Sequence, residues 1–446
     1  MAKVSRAYAC RECGARSPAP LGRCPRCGSW GSLEAQATPA PPAGAPSEPL
    51  HELALEDVDA LQLERVSSGS SEVDRVLGGG WVAGSALLLA GEPGVGKSTL
   101  LLQLADASAG AGRSTIYVAG EESPGQVKLR AGRLGIGAYL RVTRETDASR
   151  LAAYLRAAAP ALAIVDSIQT LASEDGPAAG SPSMVRDATA LLTRAAKESG
   201  ATLVLIGHVT KHGAIAGPKL IEHVVDATFA LESAAGLRVL RSLKNRFGPT
   251  GEVGVFEMAA DGLRPVANPS AAFLAERPLG VPGSVVAAVL EGQRPMLVEV
   301  QALASKSPYP SPRRVVQGLD TRRVDVVLAV LERRLGLPLE GLDVYVNVAG
   351  GLRVTDPGAD LAVAVAVVSA VTNRTVPDAT AMVGEVGLAG ELRQVAQFER
   401  RAREASRAEH PRLIGPPQRG GSASDSDQHV AVRTVRAALD ALWGAA

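Results

Sequence analysis

The chain has 446 residues, too many for one ordinary domain at roughly 100–200 residues each, so two or three are expected. Lys and Arg total 47 against 46 Asp and Glu, so bulk charge points to no polyanionic partner and any basic surface has to be local. Apolar residues make up 46%, yet no uncharged apolar run approaches the roughly 18 residues of a membrane span, and Met1-Ala2-Lys3-Val4-Ser5-Arg6 does not resemble a signal peptide; the expectation is a cytoplasmic protein with no membrane partner.

All four cysteines fall at the start of the chain, as Cys10-x-x-Cys13 and Cys24-x-x-Cys27. Two such knuckles have the spacing of a four-thiolate Zn²⁺ site, since each short loop lets both sulfurs reach one tetrahedral ion. Gly14 and Gly28, directly after the second Cys of each pair, permit the tight turns required. Disulfides fit poorly in a chain with no export signal. So short a segment cannot build a core, and the metal would supply its folding energy. From Glu34 to Glu48 the sequence is rich in Ala and Pro, with Pro39, Pro41, Pro42 and Pro46 and then Pro49, and residues 35–64 read as a flexible linker.

Apolar β-type runs follow at 86–90, 114–119, 161–165 and 202–207, separated by helical stretches, and predict a parallel sheet covered on both faces. Shorter β runs at 228–231, 237–243 and 254–258 read as antiparallel hairpins closing that domain. Pro265-Val266-Ala267-Asn268-Pro269 marks a boundary. Beyond it, β runs (284–290, 297–303, 342–348) mix with helical ones (322–335, 359–371) in an α+β pattern. The expected domains are therefore 1–34, a zinc finger; 35–64, the linker; 65–267, a nucleotide-binding α/β domain; and 268–446, an α+β domain.

The chemistry is concentrated at the ends of the apolar runs. Gly91-Glu92-Pro93-Gly94-Val95-Gly96-Lys97-Ser98-Thr99 is G-x-x-x-x-G-K-S between a strand and a helix, the setting in which backbone N–H groups turn toward a polyphosphate, here ATP. Lys97 would lie at the β and γ phosphates and Ser98 would hold Mg²⁺ through its hydroxyl. Asp166 ends another apolar run and is the second candidate for Mg²⁺. Glu121 and Glu122 end the intervening run; either would polarise the attacking water or cap the next helix, and Glu121 is favoured as the base. His208 or Thr210 would sense the γ-phosphate, and the loop from Lys211 to Lys219 is basic without aromatic residues, suited to a phosphate backbone rather than to reading bases. Lys244-Asn245-Arg246-Phe247-Gly248 puts two cations on a hairpin turn, where Arg246 could reach a neighbour's nucleotide.

Together these motifs, from the cysteine knuckles to Gly-Glu-Glu-Ser at 120–123, His-Val-Thr-Lys at 208–211 and above all Lys-Asn-Arg-Phe-Gly at 244–248, resemble those of bacterial RadA (Sms) DNA-repair ATPases over nearly the whole chain. The resemblance implies a RecA-like P-loop NTPase core with a small N-terminal zinc module and a C-terminal Lon-protease-like domain. It also implies a homo-hexameric ring that moves on single-stranded DNA and promotes branch migration of RecA-made recombination intermediates, with RecA as a partner. By the same resemblance Glu121 is the catalytic glutamate, and Lys244 and Arg246 are paired finger cations.

The C-terminal segment looks like the proteolytic domain of Lon, with Ala359 where the Ser nucleophile would stand and Glu399 at the Lys position, which implies an inactive protease used for assembly or DNA contact. Lys306, Arg313, Arg314, Arg322 and Arg323 supply local positive charge for such a contact, or simply a solvated loop. Two other functions compete with the motor: an active Lon-like protease, and a DNA-binding module that uses ATP only as a switch.

Overall fold

The structure, a computed structural model, describes residues 7–12, 16–17, 21–36, 64–174, 176–208, 221–418 and 429–444. Cys13, most of the 35–64 linker and the loop carrying Thr210, Lys211 and Lys219 lie outside the described residues, as does the side chain of His208. The chain divides into two compact units, residues 1–59 and 60–446.

In the first unit Ala7–Cys10 pairs antiparallel with both Arg16–Ser17 and Leu33–Gln36. The buried side chains described there are Cys10, Ser17, Cys24 and Ser32, while Trp30 is 77% exposed. An interior of thiols and hydroxyls supplies little hydrophobic stabilisation, so its stability has to come from elsewhere.

Among its described residues the second unit contains two large sheets and two two-stranded ones, Arg65–Val66 with Trp81–Val82 and Glu385–Val386 with Leu392–Arg393. The first large sheet is built from β1 (Ala86–Gly91), β2 (Thr115–Ala119), β3 (Arg141–Thr143), β4 (Leu162–Asp166), β5 (Thr202–His208), β6 (Ala227–Ala234), β7 (Leu237–Asn245), β8 (Val253–Ala259) and β9 (Gly262–Pro265). Its order is β9-β8-β7-β6-β1-β5-β4-β2-β3. The strands from β6 through β3 in that order are parallel, and β6 to β9 continue as antiparallel hairpins. All six residues of β1 and all five of β2 and β4 are buried, as expected of strands covered on both faces. Helices α1 (Ser71–Leu77), α2 (Lys97–Gly110) and α3 (Pro124–Leu134) contribute to the core cluster that holds Leu87 and Leu89, and α4 (Ala148–Ala158) and α5 (Pro182–Ser199) to the one that holds Ala86 and Leu88.

Local chemistry explains the helix ends. Ser123 and Gln126 form a capping box at the start of α3 with Pro124 in its first turn, and Gly135 closes it at φ 68°. The cap is thus Ser123 rather than either of the two glutamates before it.

The second sheet holds β10 (Ser284–Glu291), β11 (Arg294–Lys306), β12 (Arg314–Gln317), β13 (Leu342–Val348), β14 (Thr380–Met382), β15 (Arg412–Gly415) and β16 (His429–Ala431) in the order β12-β13-β11-β10-β14-β15-β16. Helix α6 (Thr321–Leu335) has an apolar face, whereas α7 (Asp360–Thr372) is buried from Asp360 to Ser369 on every side, the pattern of a core helix. The core of this sheet is continuous with the first, because Val239, Val253 and Val255 of β7 and β8 belong to the same cluster. Ion pairs cross the boundary too: Arg294 to Glu72 and Arg241 to Glu291, all four side chains being largely buried. Among the described residues no helix is long and apolar enough to cross a membrane.

Candidate functional site

Parallel pairing aligns the C-terminal ends of β1, β5, β4 and β2 along one edge of the first sheet, where open α/β sheets hold ligands. Residues 91–99 leave β1 there and enter α2. A Cβ on Gly91 would come within 2.5 Å of the Leu231 carbonyl oxygen, and Gly96 sits at φ 114°, so neither position tolerates a side chain. Gly94, at φ 78°, has nothing within 4 Å of where a Cβ would be. Lys97 is 4% exposed and donates from Nζ to the carbonyls of Gly91 and Glu92, both at 2.9 Å. Burial pulls its pKa down, against the pull of Asp166 and Glu121. This cation is therefore stored at the mouth of the loop, short of solvent and facing two carboxylates. Ser98 and Thr99 follow, half-buried, in the first turn of α2.

Asp166 is 7% exposed and accepts a hydrogen bond from the Tyr117 hydroxyl at 2.5 Å. Burial, reinforced by that carboxylate, holds the Tyr117 pKa far above the phenol range. Beside it, Gly120 N–H donates to the Asp166 carbonyl at 2.7 Å, and a Cβ on Gly120 would collide with Thr170 Oγ1 at 1.9 Å. This close approach fixes where Glu121 leaves the strand: its carboxylate accepts from Ser167 Oγ, next to Asp166. Glu122 turns the other way and pairs with Arg130 of α3. Lys97, Asp166 and Glu121 thus come together at one edge, and Glu122 does not join them.

Lys244 and Arg246 lie at the end of β7 and just beyond it. Lys244 Nζ donates to the carbonyls of Glu222 and Val225 at 2.6 and 2.8 Å, and its pKa is lowered by burial first and then by Arg246. Arg246 Nη1 meets Asp226 Oδ1 at 3.1 Å, while its side chain remains 53% exposed. The turn is anchored, not loose: Asn245 donates to the Leu77 carbonyl at 3.1 Å and Arg65 donates to the Phe247 carbonyl. Sequence reasoning, which placed these cations on an exposed turn, missed the fixing of both to residues 222–226.

On the second sheet Lys306 pairs in register with Leu342 and Arg314 with Val344, so these cations share one end of the sheet. Lys306 and Arg313 are exposed, and Arg313 stacks over the Tyr309 ring at 4.3 Å. Arg314 is half-buried and donates to the carbonyls of Leu342 and Leu339, and Arg323 pairs with Asp360, so each is already engaged within the fold.

Of the residues expected at the positions of a protease dyad, Ala359 is buried and Glu399 exposed. Arg401, 1% exposed, instead reaches this place and pairs with Asp356, with its guanidinium Nη1 2.7 Å from where a Cβ of Gly358 would be. The Ala288 and Ala396 carbonyls, both at 2.9 Å, accept further bonds from it. A glycine has no nucleophile, and a guanidinium engaged in this way is no base.

In the N-terminal unit the sulfurs of Cys10, Cys24 and Cys27 all lie within 4.8 Å of one another. Cys10 and Cys27 are 3.6 Å apart, far beyond a disulfide's ~2.05 Å. It is close to the edge of a tetrahedron with metal–sulfur bonds of about 2.3 Å, so the thiols fit a metal ion of that kind.

Three family models match parts of the chain. Residues 8–35 match the rubredoxin metal binding domain, residues 49–214 an AAA domain, and residues 320–419 the subunit ChlI of Mg-chelatase. The chain is 41% identical over 456 residues to the DNA repair protein RadA of Halalkalibacterium halodurans, covering 100% of both chains. It is 42% identical to that of Bacillus subtilis, covering 93% of each, and 44% identical to that of Pseudomonas aeruginosa, covering 99% of this chain and 100% of the relative. At that identity over its full length, the chain belongs to the RadA family of DNA repair proteins.

Proposed function

We propose that the chain is an ATP-hydrolysing motor of recombinational DNA repair. It binds single-stranded DNA, works in the cytoplasm as a homo-hexameric ring, and drives branch migration of RecA-made intermediates. The observation that carries the reading is the convergence of Lys97, Asp166 and Glu121 beside the phosphate loop of a chain related over its whole length to RadA.

In this reading residues 91–99 hold the ATP phosphates. Lys97 exchanges its two carbonyl acceptors for phosphate oxygens, a cheap exchange for an amine already desolvated. Ser98 and Asp166 would hold Mg²⁺, which neutralises phosphate charge when bound. Glu121 orients and deprotonates the attacking water; Glu122 is occupied by Arg130. Lys244 and Arg246 serve the nucleotide of a neighbouring subunit. Lys306 and Arg313, with Arg314 behind them and Lys211 and Lys219 on the first domain's loop, track the DNA backbone, and the four cysteines hold Zn²⁺. The domain limits that go with this reading are 1–34, 35–64, 65–267 and 268–446.

A three-strand assay tests it. The intact protein should extend RecA-initiated joints with ATP and not with a non-hydrolysable analogue. Extension that is equal with both would reduce the protein to an ATP-dependent binding switch.

A further inference from the structure

Arg238 belongs to none of the motifs above, yet it touches the phosphate loop. It sits at the start of β7, after a turn in which Ala235 and Gly236 have φ of 50° and 72°. Its Nε donates to the Val95 carbonyl at 2.9 Å, across 143 residues of sequence. Its Nη1 is held by Ser233 Oγ at 3.1 Å and by the carbonyls of Gly236 and Leu237 at 3.2 and 3.1 Å. The guanidinium is therefore fixed on the hairpin and grips the loop with its remaining edge.

Two consequences follow from peptide geometry. In a trans peptide the C=O and the following N–H point in opposite directions, so holding the Val95 carbonyl toward β7 turns the Gly96 N–H away from β7. Gly96 N–H belongs to the last turn before Lys97, where a phosphate loop directs its donors at the ligand. A cationic donor on the carbonyl also polarises the amide and makes that N–H a stronger donor. The preceding Gly94–Val95 peptide is held only by a long bond, from Val95 N–H to the Glu92 carbonyl at 3.4 Å.

We propose that Arg238 is a positioning residue of the nucleotide site, which sets the Val95–Gly96 peptide so that its N–H faces the phosphates before ATP arrives. The proposal rests on the ATP reading above. Because that N–H would meet the phosphate in the ground state and the transition state alike, its loss belongs in binding, not in the chemical step.

The test uses the full chain and a fluorescent ATP analogue, with steady-state hydrolysis and thermal melting alongside. Arg238→Met should raise Kd and KM for ATP on the order of tenfold, the weight of one charged hydrogen bond, with kcat within about twofold of wild type. Arg238→Lys, which keeps a cationic donor, should recover most of that affinity. Unchanged Kd in Arg238→Met, a loss confined to kcat, or a Lys variant no better than Met would overturn the proposal. If Arg238→Met does not fold, Arg238→Gln is read by the same criteria. A wild-type protein that binds no ATP would overturn the underlying reading instead, which separates the two failures.

Discussion

Glu121 and Glu122 are neighbours in sequence and part within one residue. The Gly120 backbone is pressed against Thr170, which sends Glu121 toward Ser167 and Asp166, while Glu122 is held by Arg130. The expected outcome is asymmetric. Glu121→Gln keeps the shape and removes the proposed base, so kcat should fall by about 10²–10⁴ with ATP affinity retained. Glu122→Gln loses only a partly exposed ion pair worth about 1 kcal/mol or less and should hydrolyse ATP nearly as wild type does. Steady-state kcat together with ATP binding for both variants checks this; the reverse ranking would move the base to Glu122. A single-residue difference of this kind is decided by side-chain partners, which is why the sequence favoured Glu121 without separating the pair.

At the scale of elements, β7 does more than close the sheet. It carries Arg238 to the phosphate loop, Arg241 to Glu291 of the second sheet, and Lys244 to the segment before β6. None of this is legible in sequence, because each contact joins residues far apart in the chain. The strands themselves were legible: the run 342–348 is the observed β13, and 86–90 is β1 less its last residue, since continuous burial leaves a local apolar signature. The phosphate loop was legible for a similar reason, its glycine spacing being local. The meeting of Gly358 and Arg401 was not, because it joins residues 43 positions apart through a side chain.

The Arg241–Glu291 pair gives a pH-dependent prediction. Burial raises the Glu291 pKa, and Arg241 is the main group holding it down. A carboxyl with a raised folded pKa keeps its proton in the native state where the unfolded chain has lost it. Its contribution to stability is present below the ordinary carboxylate pKa and is lost as pH rises through the folded value. In Arg241→Met the folded pKa moves further up, so Glu291 holds its proton to a higher pH than in wild type, and once ionised it is a buried unpaired charge costing about 3–5 kcal/mol. The melting-temperature deficit of Arg241→Met against wild type should therefore widen between about pH 5 and pH 8. Calorimetric melts across that range check it, and a deficit that stays flat or narrows would mean that Glu291 is not the group responsible.

On the scale of the whole molecule, the two large sheets of the second unit share a hydrophobic core and two buried ion pairs, so motion at the nucleotide edge is carried by a stiff body. A stiff body suits a ring in which one subunit completes the site of the next. Arg246 meets the needs of such a group: half its side chain is exposed, its backbone N–H donates to the Asp226 carbonyl at 3.1 Å, and the Asp226 carboxylate meets one terminal nitrogen of its guanidinium, Nη1. On the proposed reading Lys97→Ala removes the phosphate-loop cation and Arg246→Ala the group that acts in trans, so assemblies of either variant alone should be inactive. Removal of a finger in trans typically costs on the order of 10³–10⁵ in rate. In mixed rings some boundaries pair an intact phosphate loop with an intact Arg246, and DNA-stimulated hydrolysis should return in proportion to their number. A mixture as inactive as either parent, with co-assembly shown by differently tagged subunits, would confine Arg246 to its own chain and leave its contact with Asp226 as its whole role.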